Sequence, residues 1–146
     1  MNLRLFPNEF NLALRKARTE GSPLHVIEES SWGCNHADTG SLLASKWSLT
    51  PALADVIQYH HCLPHFAVHR TLIALVSLCD QMCRTDGLGH GYPETGLLQW
   101  ENNHLIDILR TECPAARSIN WPQASLELKS YLNDVRKLVS VLFRLC

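Results

Sequence analysis

The chain contains no apolar run near the roughly 18 residues that a membrane-spanning helix requires, and Met1 to Pro7 offer too short an apolar stretch for a signal peptide. A cytoplasmic protein without membrane association is therefore expected. No Cys-x-x-Cys occurs among the six cysteines, Cys34, Cys62, Cys79, Cys83, Cys113 and Cys146. Most of them sit inside apolar helical patterns, so reduced, buried thiols are expected. Cys79 and Cys83 are one helical turn apart, but sharing a soft metal would take two further ligands. No basic cluster exists either: 13 Lys/Arg against 14 Asp/Glu give a formal charge of −1, which leaves no electrostatic footprint for nucleic acid or an anionic membrane. No segment alternates at period two, and there is no internal repeat or low-complexity tract. The glycine-rich run from Asp86 to Gly96 lacks the Lys-Ser/Thr ending of a phosphate-binding loop and follows no strand, so it is expected to be an ordinary loop.

What remains is a composition with 46% hydrophobic and 18% charged residues over 146 positions, enough to bury a core in one domain spanning residues 1–146. Helical periodicity runs through it. Phe6, Phe10, Ala13, Leu14 and Ala17 share one face of a first helix, Pro7 to Glu20, which Gly21 stops. Ser22 and Pro23 have the chemistry to start a short second helix that breaks at Trp32 and Gly33. Asn35 is placed to cap a third, His36 to Trp47, whose inward stripe is His36, Gly40, Leu43, Ala44 and Trp47. Thr50 and Pro51 open a fourth, to about Cys62, with Leu53, Val56 and Ile57 on its apolar face.

Pro64 ends that helix, and the pattern predicts a long core helix from His65 to Arg84 on the stripe Val68, Leu72, Leu75, Val76, Cys79 and Cys83. A short helix is expected around Leu97 to Thr111, with a break near Asn102. Pro122 opens a last one, with the stripe Leu128, Leu132, Val135, Leu138, Val139 and Leu142. The predicted architecture is all-α, an irregular bundle of about six or seven helices.

Within that frame the chemistry concentrates between His36 and Asp80. His60 and His61 continue the apolar face at i+3 and i+4 from Ile57, and His36 points inward from its own helix. Asp80 falls on the flank of the buried face of the long helix, where an unpaired carboxylate is costly, so it should have a partner. Gly40 leaves room for another backbone to approach one turn from His36. Imidazole nitrogens and a carboxylate converging from three helices suit iron, manganese or zinc. Buried histidines that merely hydrogen-bond to backbone or to Asp80 are the competing reading.

The runs Glu28-x4-Gly33-x2-His36-x3-Gly40-x2-Leu43-x3-Trp47-x-Leu49, Ile57-x2-His60-His61-x2-Pro64 and Leu78-Cys79-Asp80-x2-Cys83, with Gly87 to Tyr92 after them, resemble the HD-related output domain (HDOD) family of bacterial signalling proteins. The resemblance extends to about Tyr92. It implies an HD-domain-like fold and kinship with the HD and HD-GYP metal phosphohydrolases, in which the counterparts of His36, His60, His61 and Asp80 look like metal ligands. Those enzymes also need an adjacent His-Asp dyad and an earlier histidine, and no His-Asp dipeptide occurs in this sequence. Cys62, Leu63, Pro64 and His65 stand where HD-GYP enzymes continue the histidine pair with an acidic residue and a Gly-Tyr-Pro turn. Gly91, Tyr92 and Pro93 come only after Asp80.

The resemblance places Met1 near the family's middle, so a shortened member holding the C-terminal portion of the fold is expected, with apolar surface left open to a partner. The function expected is a non-catalytic signalling and protein-interaction module. In it His36, His60, His61 and Asp80 remain as vestigial ligands, no cofactor is needed and a divalent metal (Fe, Mn or Zn) is admitted. A homodimer or a protein partner is expected, nucleic acid and membrane are not, and a nucleotide ligand is compatible with the resemblance. The alternative is a metal-dependent phosphohydrolase acting on a nucleotide or cyclic dinucleotide, with the bound metal activating water. A thiol enzyme built on Cys62 and His61 is disfavoured, because adjacent helical residues point about 100° apart.

Overall fold

The computed structural model describes residues 6–89, 92–94 and 98–144, without the side chains of 139, 140 and 142–144. The expectations placed on Met1 to Leu5, His90, Gly91, Leu97 and Cys146, and on the side chains of Val139 and Leu142, lie outside the described residues. Those residues form seven α-helices and one 3-10 turn and contain no strand: α1 (Pro7–Glu20), α2 (Leu24–Trp32), α3 (His36–Lys46), α4 (Pro51–Tyr59), α5 (Arg70–Thr85), α6 (His104–Glu112), the 3-10 segment Pro114–Ser118 and α7 (Trp121–Arg144). The all-α bundle is as expected.

Local chemistry sets most boundaries. Gly21 and Gly33 close α1 and α2 in the left-handed conformation, at φ 63° and 71°. Asn35 and Asp38 make a reciprocal capping box at the start of α3. Pro51 occupies the first turn of α4, although the Thr50 side chain makes no capping bond. Asn103 accepts the Leu105 amide and starts α6 at His104, so residues 98–103 are loop where a helix was expected.

Two apolar cores hold the helices. Ala13, Ala17, Leu24 and Ile27 of α1 and α2 close over Tyr92. Ala74, Leu78 and Met82 of α5 pack on Leu105, Ile106 and Leu109 of α6, with Ala116 and Trp121. α3 lies against α4, and α4 against α5.

Several faces differ from the periodic reading. In α5 the buried side is Ile73, Ala74, Ser77, Leu78 and Met82, while Leu72, Leu75 and Cys79 are exposed. Apolar residues of the helix fall on two overlapping stripes, and the α6 contact selects one of them. It also starts at Arg70 and not His65, because His69, bonded to Asp55 of α4 at 2.7 Å, sits outside helical geometry. Val68 is thereby left in a turn and 83% exposed.

Trp47 is exposed and not inward: α3 ends before it, and Ser48 at φ 53° turns the chain away, with the Leu49 amide bonding back to Ala44. Leu53 is likewise exposed, and no residue of α4 is fully buried. In α7, Leu128 packs against the core and Leu132 is half-buried, but Val135 and Leu138 face solvent. Its 24 residues extend about 36 Å. The five described cysteines are free and none is fully buried, Cys62 and Cys79 being exposed, so the expected burial of the thiols does not hold for them.

Candidate functional site

Three of the four candidate ligands meet. His36, on the first turn of α3, and His60 and His61, at the end of α4, bring one ring nitrogen each to within 4.8 Å of one another. The closest approach is between the Nε2 atoms of His61 and His36, 2.8 Å apart. His60 and His61 have ring centroids 3.9 Å apart.

The end of α4 explains how two consecutive histidines serve one site. α4 stops at Tyr59, three residues before the expected end, and His60 is its C-cap. The His60 Nδ1–H donates to the Ile57 carbonyl at 3.0 Å, the acceptor that the His61 amide would use if the helix continued. The Cys62 amide turns instead to Tyr59, and His61 is released towards α3. Pro64 disfavours helix at the residue before it, reinforcing the stop.

Gly40 contributes to the same geometry. A Cβ there would stand 2.7 Å from Cγ2 of Ile57. The close approach expected at Gly40 is thus made by a side chain of α4, the one whose carbonyl holds His60.

His36 is anchored from below. Oε2 of Glu28, a residue with no exposed surface, lies 2.6 Å from His36 Nδ1 and also accepts the His36 backbone N–H at 2.9 Å. A carboxylate at that helix start also meets the positive end of α3. His25, one turn before Glu28 in α2, stacks its ring on His61 with centroids 4.1 Å apart and planes 12° apart.

Asp80 stands apart from the histidine trio. Its Oδ2 accepts Nε of Arg84 at 2.7 Å and lies 3.7 Å from His61 Nδ1, too far for a hydrogen bond. The expected partner of Asp80 is therefore Arg84. That guanidinium is itself buried and makes a second bond, to Glu94 Oε2 at 2.7 Å. The backbone follows the same path, since the Glu94 amide bonds to the Arg84 carbonyl.

Burial, aided by His60, His25, His36 and Arg84, pushes the His61 pKa down to about 2. His25 is lowered to about 4, first by burial and then by Arg84 and His36, with Asp80 and Glu28 opposing. Both rings are neutral at neutral pH, as metal-binding or hydrogen-bonding imidazoles must be.

Sequence reasoning missed His25, Arg84, Glu94 and the role of Glu28. Glu28 appears in the spacing that carried the family resemblance, and Arg84 is four residues after Asp80, the helical ion-pair spacing. Nothing local announced His25 or Glu94.

Comparison with known proteins supports the resemblance over the part of the chain that carries the three histidines. The family model described as HDOD domain matches residues 1–63. An uncharacterized protein of Treponema pallidum (strain Nichols) is 32% identical over 63 residues, which is 42% of this chain and 12% of that protein. The chain thus aligns with only a small part of that relative's length. No solved structure matches. Asp80 and the residues around Tyr92 lie beyond the matched segment.

Proposed function

We propose that this chain, whose residues 1–63 match the HDOD domain, is a non-catalytic signalling and protein-interaction module of the bacterial cytoplasm, built around a degenerate HD-type site. The observation that carries this reading is the commitment of Arg84. Hydrolysis of a phosphoester needs a cation to neutralise charge on the phosphoryl oxygens and a group to protonate the leaving oxygen. Arg84, whose charge reaches both His25 and His61, is closed off by Asp80 on one side and Glu94 on the other. Asp80 is occupied in turn, which leaves three imidazoles without the His-Asp dyad of the enzymes.

Exposed apolar side chains support the interaction half. Leu42, Trp47 and Phe66 are 73%, 67% and 78% exposed. A second copy of the chain or another protein would cover them. Among the described residues no helix is long and apolar enough to cross a membrane.

The competing reading, a metal-dependent phosphohydrolase acting on a nucleotide or cyclic dinucleotide, draws on the convergence of His36, His60 and His61. A phosphodiesterase assay with added Mn²⁺ or Fe²⁺ separates the two. The module reading expects no turnover above the metal blank, and protein-dependent turnover overturns it. Light scattering on the same sample is expected to give a mass above that of the monomer, or a monomer that associates with another protein.

A further inference from the structure

We infer that the outward stripe of α7, formed by Tyr131, Val135 and Leu138, is the seam of a helix pair made with α7 of a second copy of this chain. This deepens the interaction half of the reading above. Self-association and hydrolysis are measured separately, so either can fail alone.

Trp121, Ala124, Leu128, Tyr131, Val135, Leu138 and Leu142 follow one another at alternating intervals of three and four residues. That is the repeat with which one helix packs along another, kept here over three heptads. No charged residue stands at any of these positions. The bundle uses the first part of the repeat: Trp121 is buried in the core that α5 and α6 share, and Leu128 packs against the same core. The second part is left uncovered, with Tyr131, Val135 and Leu138 68%, 52% and 59% exposed.

The opposite edge of α7 is pinned. Lys129 Nζ lies 2.7 Å from Asp86 Oδ1, and the Arg136 guanidinium donates to the Asp86 carbonyl. These two cations are one heptad apart, and Tyr131 and Leu138 each follow two residues later, about 200° round the helix. The anchors that hold α7 to the end of α5 therefore aim the stripe away from the bundle.

The chemistry of the stripe fits a second copy. Asp134, the acidic group beside its exposed part, is already paired with Lys137 of its own helix at 3.2 Å, which weakens any field that would select an oppositely charged helix. An uncharged seam with an even repeat complements itself under a two-fold axis. With Val141 alongside, which is 55% exposed, the uncovered parts of the four side chains come to about 450 Å² per copy, below the roughly 800 Å² per partner of a standard interface. The pair is therefore reversible and concentration-dependent.

The experiment is sedimentation equilibrium of the full chain under reducing conditions, from about 5 to about 500 μM. A reversible monomer–dimer equilibrium is expected. Leu138→Lys should weaken it by at least about 10-fold. Leu126→Lys, at a position 64% exposed on the same helix but outside the repeat, should leave it unchanged. Helical circular dichroism is expected to be the same for all three proteins, and Tyr131→Lys replaces Leu138→Lys if that variant does not fold. Three results overturn the inference: a monomer across the whole range, a dimer indifferent to the seam variant, or a dimer weakened equally by Leu126→Lys.

Discussion

His61 and His36 are 25 residues apart in sequence and bring their Nε2 atoms to 2.8 Å. That contact ties the end of α4 to the start of α3, and it depends on a set of polar groups behind it, each of which can be tested.

Glu28 is the deepest of these. It has no exposed surface and bonds both the backbone N–H and Nδ1 of His36. Glu28→Ala removes the acceptor that both donors share. A loss of about 2–4 kcal/mol is expected in urea denaturation, with a smaller loss for Glu28→Gln, which retains an acceptor oxygen.

The Arg84 ion pairs give a second outcome. Glu94 is 4% exposed and Arg84 6%, so deleting the guanidinium strands a buried carboxylate. Arg84→Ala is expected to cost about 3–5 kcal/mol, and the double variant with Glu94→Gln to recover part of it, because the uncompensated charge is gone. Equal stability of the single and double variants would show that the pair carries little.

Gly40→Ala sets helix propensity against packing. Alanine favours a helix interior by up to about 1 kcal/mol over glycine, but its Cβ would stand 2.7 Å from Ile57 Cγ2, a branch methyl next to the backbone. Overpacking of this kind costs about 1–3 kcal/mol. The expected result is net destabilisation together with shifted His60 imidazole resonances, since Ile57 also holds that ring.

Stability should fall as pH drops below about 6.5. His61 and His25 have folded pKa values lowered to about 2 and about 4, while in the unfolded chain each titrates near 6.5. Below that pH the unfolded state binds more protons, so the stability these rings contribute is complete above about 6.5 and declines towards the folded values. The limiting slope is about 1.4 kcal/mol per pH unit per proton, reduced here because both rings are partly exposed. Urea denaturation at about pH 7.5, 6.5 and 5.5 checks this, and His25→Phe should flatten the slope by removing one of the two contributions.

Much of this was legible in the sequence because it is local. Gly21, Gly33, Asn35 and Pro51 mark helix ends through backbone chemistry that needs no neighbour, whereas His60 and His61 were placed on a continuing helix and reach the site only because α4 stops at Tyr59. The orientation of α5 was not legible, since Leu72, Leu75 and Cys79 make as good a stripe as Ile73, Ala74 and Leu78 until α6 chooses between them. Trp47 and Val68 were misplaced because each lies just outside a helix whose end was drawn too generously. The link from Asp80 through Arg84 to Glu94 crosses from a helix into a loop, which periodicity does not describe. His25 stacks on a ring 36 positions away, with no local signal at all.

The central claim is tested most directly by phosphodiesterase assay of the metal-loaded chain, with cyclic dinucleotide and nucleotide substrates and either Mn²⁺ or Fe²⁺. Unmodified protein and His60→Ala are expected to be indistinguishable from the metal blank. Turnover by the unmodified chain that disappears in His60→Ala would contradict the non-catalytic reading and establish the histidine trio as a working hydrolytic centre.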